Sequence, residues 1–149
     1  MVRSIEGKHP DYFEAVLQLR FCTKEIVDFV ESEIERTKVS VAKVVDSKNG
    51  PDYYLSDNEV TKAIGKKLQQ HFGGELLMTS SLHTKIDNKE KYRVTVLFRY
   101  PGFTKNDTVI YQGEEWVVRA MNKDIFLQNK HTGKKIHVRW KDMGSVKIE

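Results

Sequence analysis

The sequence predicts an α+β protein, with a β-α-β-α-β-β unit over residues 1–100 and a small antiparallel β-barrel over residues 101–149. Three observations carry this expectation. DYFEAVLQLRF, from Asp11 to Phe21, alternates apolar and polar residues with a period of two, as a strand with one dry face does. Two later segments repeat apolar residues at helical spacing. Beyond Tyr100-Pro101-Gly102 helical periodicity stops and short β-rich runs alternate with tight polar turns.

In the opening strand Phe13, Ala15, Leu17, Leu19 and Phe21 share the dry side, leaving Tyr12, Glu14, Val16, Gln18 and Arg20 on the other. Thr23 then suits a helix N-cap, and Ile26, Phe29, Val30 and Ile34 form an apolar stripe that ends near Arg36 or Thr37. VSVAKVV, from Val39 to Val45, is rich in β-branched residues and predicts a second strand, closed by the loop formers DSKNGPD. Ser56 and Glu59 have the spacing of a capping box for a second helix. Its stripe is Val60, Ala63, Ile64, Leu68 and Phe72, and Gly73-Gly74 stops it. Glu75 to Thr84 and Tyr92 to Tyr100 read as a hairpin across the polar IDNKEK turn. In the last third, TVIY, EWVVRAM, DIFLQN and KKIHVRW are separated by QGE, NKD and KHTGK, which suits a barrel of about five strands. So small a barrel is expected to pack on the first domain.

Hydrophobic residues make up 39% and charged residues 31% of the 149, too apolar and aromatic for a disordered chain. The apolar runs are of strand length, far short of the ~20 residues a membrane-spanning helix needs. MVRSIEGKHP lacks the apolar centre of a signal peptide. With Cys22 as the single cysteine, an internal disulfide and a cysteine-based zinc cluster are both excluded, and an intracellular, cytoplasmic protein is expected. Net charge is +4, and residues 101–149 hold most of it, with 9 Lys plus Arg against 6 Asp plus Glu, compared with 16 against 15 before them. That balance favours an anionic partner.

Catalytic and ligand-binding constellations are not evident. Cys22 precedes a helix N-terminus and has Lys24 nearby, a setting that can activate a thiol, yet no His or acid completes a site, and it reads as core packing. His9, His71, His83, His131 and His137 fit no metal-ligand spacing. Gly73-Gly74 follows a helix, so it lacks the strand-loop-helix geometry of a phosphate site. Gly65 has no second glycine three positions on, so the GXXG loop of a KH domain is missing. Neither cofactor nor small-molecule substrate is expected.

Basic residues are the more informative group. Lys62 and Lys66, and Lys67 and His71, lie one turn apart on the second helix. Arg93 and Arg99 share a strand parity opposite Val94, Val96 and Phe98, and Arg20 joining them would make the wet side of the sheet cationic. Lys130, His131, Lys134 and Lys135 crowd one turn, followed by Arg139 and Lys141 with Trp140 between them. Such clusters resemble phosphate-contacting surfaces, and equally the solvated faces of ordinary helices and turns. Trp116 and Trp140 read as barrel packing.

Several segments together resemble the family of nonsense-mediated decay protein 3, the large-ribosomal-subunit export adaptor. They are the DYFEAVLQLR strand, the GPDYYLS segment from Gly50 to Ser56, TSSL from Thr79 to Leu82, and the return strand leading into the Lys105-Asn106-Asp107 turn. The resemblance covers most of the chain. It implies a ribosomal-protein-like α/β domain followed by an SH3-like barrel, both docking on the large ribosomal subunit. That family usually begins with a zinc-binding region of paired CxxC motifs and, in eukaryotes, ends in a long tail with nuclear transport signals. Neither is seen here, which implies an archaeal-type homologue or a fragment beginning after the zinc region. The expectation is therefore a non-enzymatic module of late subunit maturation or export. It would touch rRNA and ribosomal proteins through Arg20, Lys62, Lys66, Lys67, Arg93, Arg99, Lys130, Lys134, Lys135 and Arg139. The alternative is a protein-interaction module that uses an exposed sheet or barrel edge without touching RNA. A third reading is a thiol enzyme built on Cys22.

Overall fold

The computed structural model of the protein describes residues 12–86 and 89–149. MVRSIEGKHP, Asp11 and the tip of the expected IDNKEK turn lie outside the described residues. The elements follow in the order β1 (Ala15–Arg20), α1 (Lys24–Thr37), β2 (Val41–Ser47), β3 (Gly50–Leu55), α2 (Asn58–Phe72), β4 (Glu75–Ile86) and β5 (Lys89–Arg99). After these come β6 (Thr108–Tyr111), β7 (Glu114–Met121), β8 (Ile125–Asn129), β9 (Lys135–Val138), a 3-10 helix (Trp140–Ser145) and β10 (Lys147–Ile148). The protein is α+β, and its first part runs β-α-β-β-α-β-β, one strand more than expected.

The extra strand is β3. DSKNGPD contains a hairpin, and the Gly and Pro that read as loop formers begin a strand. Pro51 lacks an N–H to donate, which confines it to strand starts and edges. The β1 register stops at Gln18 opposite Asp52, so Pro51 has a strand on one side only, where it faces Asp46 of β2. Gly50 has a φ of 147°, and a Cβ there would lie 2.0 Å from the Leu19 carbonyl oxygen, so the hairpin closes over β1 only with glycine.

The first sheet has the order β2-β3-β1-β5-β4. β1 is central, antiparallel to β3 and parallel to β5, with Leu17 opposite Tyr53 on one side and Val96 on the other. Ala15, Leu17 and Leu19 are fully buried, as the alternation requires, and pack with Tyr53, Leu55, Val94, Val96 and Phe98 beneath the two helices. Each large side chain so buried contributes roughly 1.5–3 kcal/mol. The two ends of the expected dry face depart from it. The chain bends at Glu14, placing Phe13 against Tyr54 on the opposite side of the sheet. At the other end Phe21 turns left-handed at φ 56° and is 57% exposed.

Thr23 caps α1, its Oγ1 accepting from the Ile26 N–H at 3.4 Å. Asp57, not Ser56, caps α2, accepting from the Val60 N–H at 3.0 Å. The Ser56 hydroxyl is occupied elsewhere, accepting from the Ser40 N–H at 3.0 Å and tying the entrance of β2 to the exit of β3. α2 lies close on the sheet because Gly65 has no side chain. A Cβ at that position would meet Val96 Cγ1 at 2.6 Å and Leu76 Cδ1 at 3.0 Å.

The second sheet is wholly antiparallel, in the order β10-β6-β7-β8-β9. Five strands are present as expected, but among the described residues β9 and β10 do not pair, so the sheet is open and not a closed barrel. The expected last strand, KKIHVRW, stops at Val138, and Trp140 belongs to the 3-10 helix that joins the two edges. Trp140, Met143 and Val146 from this connection are buried with Trp116, Val118 and Leu127. A helical plug thus covers the core where further strand pairing would have closed a barrel. Gly73, at the end of α2, abuts Met121 and Trp140, which brings the two sheets together.

Gly65→Ala should destabilise the protein. The helix-propensity gain of ~1 kcal/mol is smaller than the ~1–3 kcal/mol cost of forcing a methyl group against a buried, β-branched Val96. A lower urea midpoint with unchanged slope is the expected result, and a raised midpoint would show that α2 can lift off the sheet.

Candidate nucleic-acid interface

The first sheet carries both helices on one face, and among the described residues no helix or second sheet layer covers the other. Register places Gln18 and Arg20 of β1, Asp52 and Tyr54 of β3, and Arg93, Thr95, Leu97 and Arg99 of β5 on this open face. Arg20, Arg93 and Arg99 do share it, as strand parity predicts. The face is nevertheless not a bare cationic surface. Arg20 Nη1 lies 2.7 Å from Asp52 Oδ1, and Arg99 is ion-paired with the buried Glu75. Arg93 stacks its guanidinium 4.0 Å from the centre of the Phe13 ring. Phe13 meets Tyr54 edge-on at 4.9 Å, and Lys43 Nζ lies 4.5 Å from the Tyr54 ring centre. Cation, two rings and cation thus form a row contributed by four separate segments, a set of cation–π contacts that holds these side chains to the sheet. Leu77 and Val45 are 46% and 40% exposed.

The strip on α2 is also partly engaged. Lys62 Nζ pairs with Glu59 at 3.1 Å, and Lys67 Nζ with Glu33 of α1 at 2.5 Å. His71 stacks on Phe29, ring centres 5.2 Å apart, and so belongs to the α1–α2 contact more than to a cationic strip. Lys66 is exposed and has no ion pair among the described residues. Glu33 is buried, and hydrogen bonds from Arg36 and then Lys67 hold its carboxyl down at about 2. A carboxyl depressed below its unfolded value of about 4.3 stabilises the fold fully above that value, and the contribution fades as pH falls toward 2.

The outer face of the second sheet is different. Lys130 and His131 share Glu115, at 3.6 Å and 3.3 Å, and the hydrogen bond from His131 holds the Glu115 carboxyl below its ordinary range. The turn itself is built by Asn129, whose buried Oδ1 accepts from the N–H groups of His131 and Thr132, both at 2.9 Å. Lys134 and Lys135 leave this turn exposed, and Arg139 is exposed just beyond β9; among the described residues none of the three has an ion pair. Strand parity puts Lys135 and His137 on one face of β9, and the register adds Phe126 and Gln128 of β8. Arg119 of β7 joins them, its Nε donating to Gln128 Oε1 at 2.9 Å. Arg119 and Phe126 were not among the residues singled out by sequence, and His137 was weighed only as a metal ligand. Alternation with the buried Ile125, Leu127 and Val138 was the signal that would have placed Phe126 and His137 outward. Trp116 and Trp140 are core residues, each 4% exposed, with indole N–H groups donating to the carbonyls of Tyr111 and Asn122.

Cys22 packs against the first core, its thiol donating weakly to the Arg20 carbonyl at 3.5 Å, and burial pushes it up to about 11. The helix N-terminus and Lys24 do not offset that burial. Among the described residues no three His, Cys, Asp or Glu side chains gather as a metal site, and no helix is long and apolar enough to cross a membrane. Where the two sheets meet, Phe21, Arg99, Tyr100, Phe103, Met143 and Val146 line a largely apolar cleft of about 370 Å³.

Two outcomes follow for these side chains. Glu33→Gln should lower stability at pH 7 by roughly 1 kcal/mol, with the difference from the parent vanishing near pH 2 in urea unfolding; a difference that persists there would locate the effect outside the ion pair. Cys22 in the folded protein should alkylate much more slowly than a free thiol at pH 8 and reach the free rate only in denaturant, as mass spectrometry of iodoacetamide adducts would show.

Residues 12–99 of the chain match the second domain of NMD3, a ribosome-associated adaptor family. No curated protein matches the chain.

Proposed function

The chain belongs to the NMD3 family and has a ribosome-related role, and we propose that it is a non-enzymatic module that docks on the large ribosomal subunit during late maturation or export. In this reading residues 1–100 and 101–149 are two domains, the second an open variant of an SH3-like barrel, and the module works in the cytoplasm. The separate cores of the two sheets support the division. The observation that carries the docking reading is the exposed group Lys134, Lys135 and Arg139, cations that form no ion pair among the described residues. Lys66 adds a further such cation on α2. Arg20, Arg93, Arg99, Lys62, Lys67 and Lys130 are already held by acids or rings, so rRNA phosphates would have to compete for them.

A second reading has its own support. The open face of the first sheet carries exposed Leu77 and Val45 between balanced charges, a surface suited to a protein partner. The two readings differ in their response to salt. Phosphate contacts release counterions, each adding about 0.9 to the slope of log affinity against log salt.

Co-sedimentation with purified archaeal large and small subunits at several salt concentrations tests this. Selective pelleting with the large subunit is expected, and Lys134→Glu, Lys135→Glu and Arg139→Glu together should weaken it at least about tenfold and lower the salt slope by roughly 2–3. Unchanged affinity and slope in the triple variant would remove the second sheet from the interface, and binding indifferent to salt and nuclease would favour the protein-binding face.

A further inference from the structure

Phe126 is 38% exposed on a strand whose neighbours Ile125 and Leu127 are buried. Its ring is stacked with the imidazole of His137 on β9, centroids 6.0 Å apart and planes 27° from parallel. The His137 side chain is itself 64% exposed, and its Nδ1 lies 3.0 Å from Asp124 Oδ2, a contact that fixes the ring's orientation. Across from Phe126 on β7 stands Ala120, which ends at Cβ and does not extend over the ring. Lys135 lies two residues before His137 on the same face of β9, exposed Arg139 follows just past the end of that strand in extended backbone, and Arg119 is held in place by Gln128. The edge of this sheet therefore presents two near-parallel aromatic rings, oriented before any ligand arrives and bracketed by cations.

From this geometry we propose that Phe126 and His137 form a stacking platform for an unpaired base of single-stranded RNA, with Lys135 and Arg139 taking the phosphates on either side. The inference rests on the ribosomal-docking reading and adds to it a ligand class and two residues outside the basic clusters. An aromatic face accepts any base, because every base has a π surface, and flanking cations track the backbone; together these are how single strands are bound without groove readout. A base inside a duplex offers no free face to such a platform, so the site selects loops, bulges and ends. The surroundings fit RNA better than a protein side chain, since apart from Asp124 the rings are bordered by cations and an amide.

The test uses the full chain and a short single-stranded RNA carrying one 2-aminopurine, with an RNA duplex as the comparison. Stacking quenches the probe, so wild type should quench it and prefer the single strand. Phe126→Leu combined with His137→Ala, which keeps an apolar side chain at 126, should abolish the quench and weaken binding about tenfold while the salt slope is retained. The buried Trp116 and Trp140 report through their own fluorescence, without RNA, whether the sheet has kept its fold; His137→Ala alone serves if the double variant has not. Quenching and affinity unchanged in the aromatic variants, with binding still lost in the Lys134, Lys135 and Arg139 charge variant, would overturn the platform and leave the docking reading standing. Equal affinity for duplex and single strand would overturn the platform too. Wild type that binds neither RNA would overturn the platform and leave the second sheet without an RNA role.

Discussion

Strand β1 is hydrogen-bonded along both edges, and the first sheet exists only because its partners β3 and β5 reach it from later in the unit, β5 from its far end. β3 returns to it through a hairpin, whereas β5 must come back some eighty positions later to lie parallel, with Ala15 opposite Val94 and Arg20 opposite Arg99. Parallel pairing over such a separation is entropically expensive and has to be offset by burial. The offset is visible in the dry face, where Ala15, Leu17 and Leu19 lie sealed under both helices beside Val96 and Phe98. Gly65 belongs to the same constraint, because α2 covers the β1–β5 pair only if its backbone can approach Val96.

The opposite side of that sheet shows how a fold redistributes charge. Antiparallel pairing of β4 with β5 sets Glu75 beside Arg99, and the β3 hairpin sets Asp52 beside Arg20. In one dimension these arginines are unaccompanied; in three each meets an acid that is itself largely withdrawn from water. An acid so placed is stabilised mainly by its partner, and a phosphate arriving at the arginine would have to leave it uncompensated. The second sheet reverses the situation. Here Glu115 and Asp124 are taken by Lys130, His131 and His137, while Lys134, Lys135 and Arg139 are exposed at a turn and an edge and form no ion pair among the described residues.

The open second sheet also explains where its uncompensated cations fall. A closed barrel has no edge, whereas here β9 is an edge strand of four residues crowded with Lys135, His137 and the following Arg139. Charged edges resist pairing with another chain's strand, and the same charges suit a polyanion. The 3-10 helix makes this arrangement possible, because Trp140 and Met143 seal the core that a closing strand pair would otherwise have covered.

Local chemistry was legible in the sequence wherever one short segment decides its own structure. The α+β class, the Thr23 cap, both helices and most of their stripes (Ala63 of the second is exposed), the alternation of Ala15, Leu17 and Leu19, and four of the five strands of the second sheet follow from spacing alone. β3 was hidden because Gly50 and Pro51 signal a turn, and only the place where β1's register ends makes them the start of a strand. Asp57 outranked Ser56 as a cap because Ser56 had a distant partner in Ser40. For the site, composition and clustering found the cations, but which of them are compensated depends in part on acids far away in sequence, such as Glu75 for Arg99 and Glu33 for Lys67. The sequence by itself determined which residues are charged, which are apolar and where local periodicity changes, since these depend on neighbours within a turn or a strand. The tertiary structure alone decided which charges stay open to a partner and which rings meet across strands, since pairing depends on register between segments that no local pattern relates.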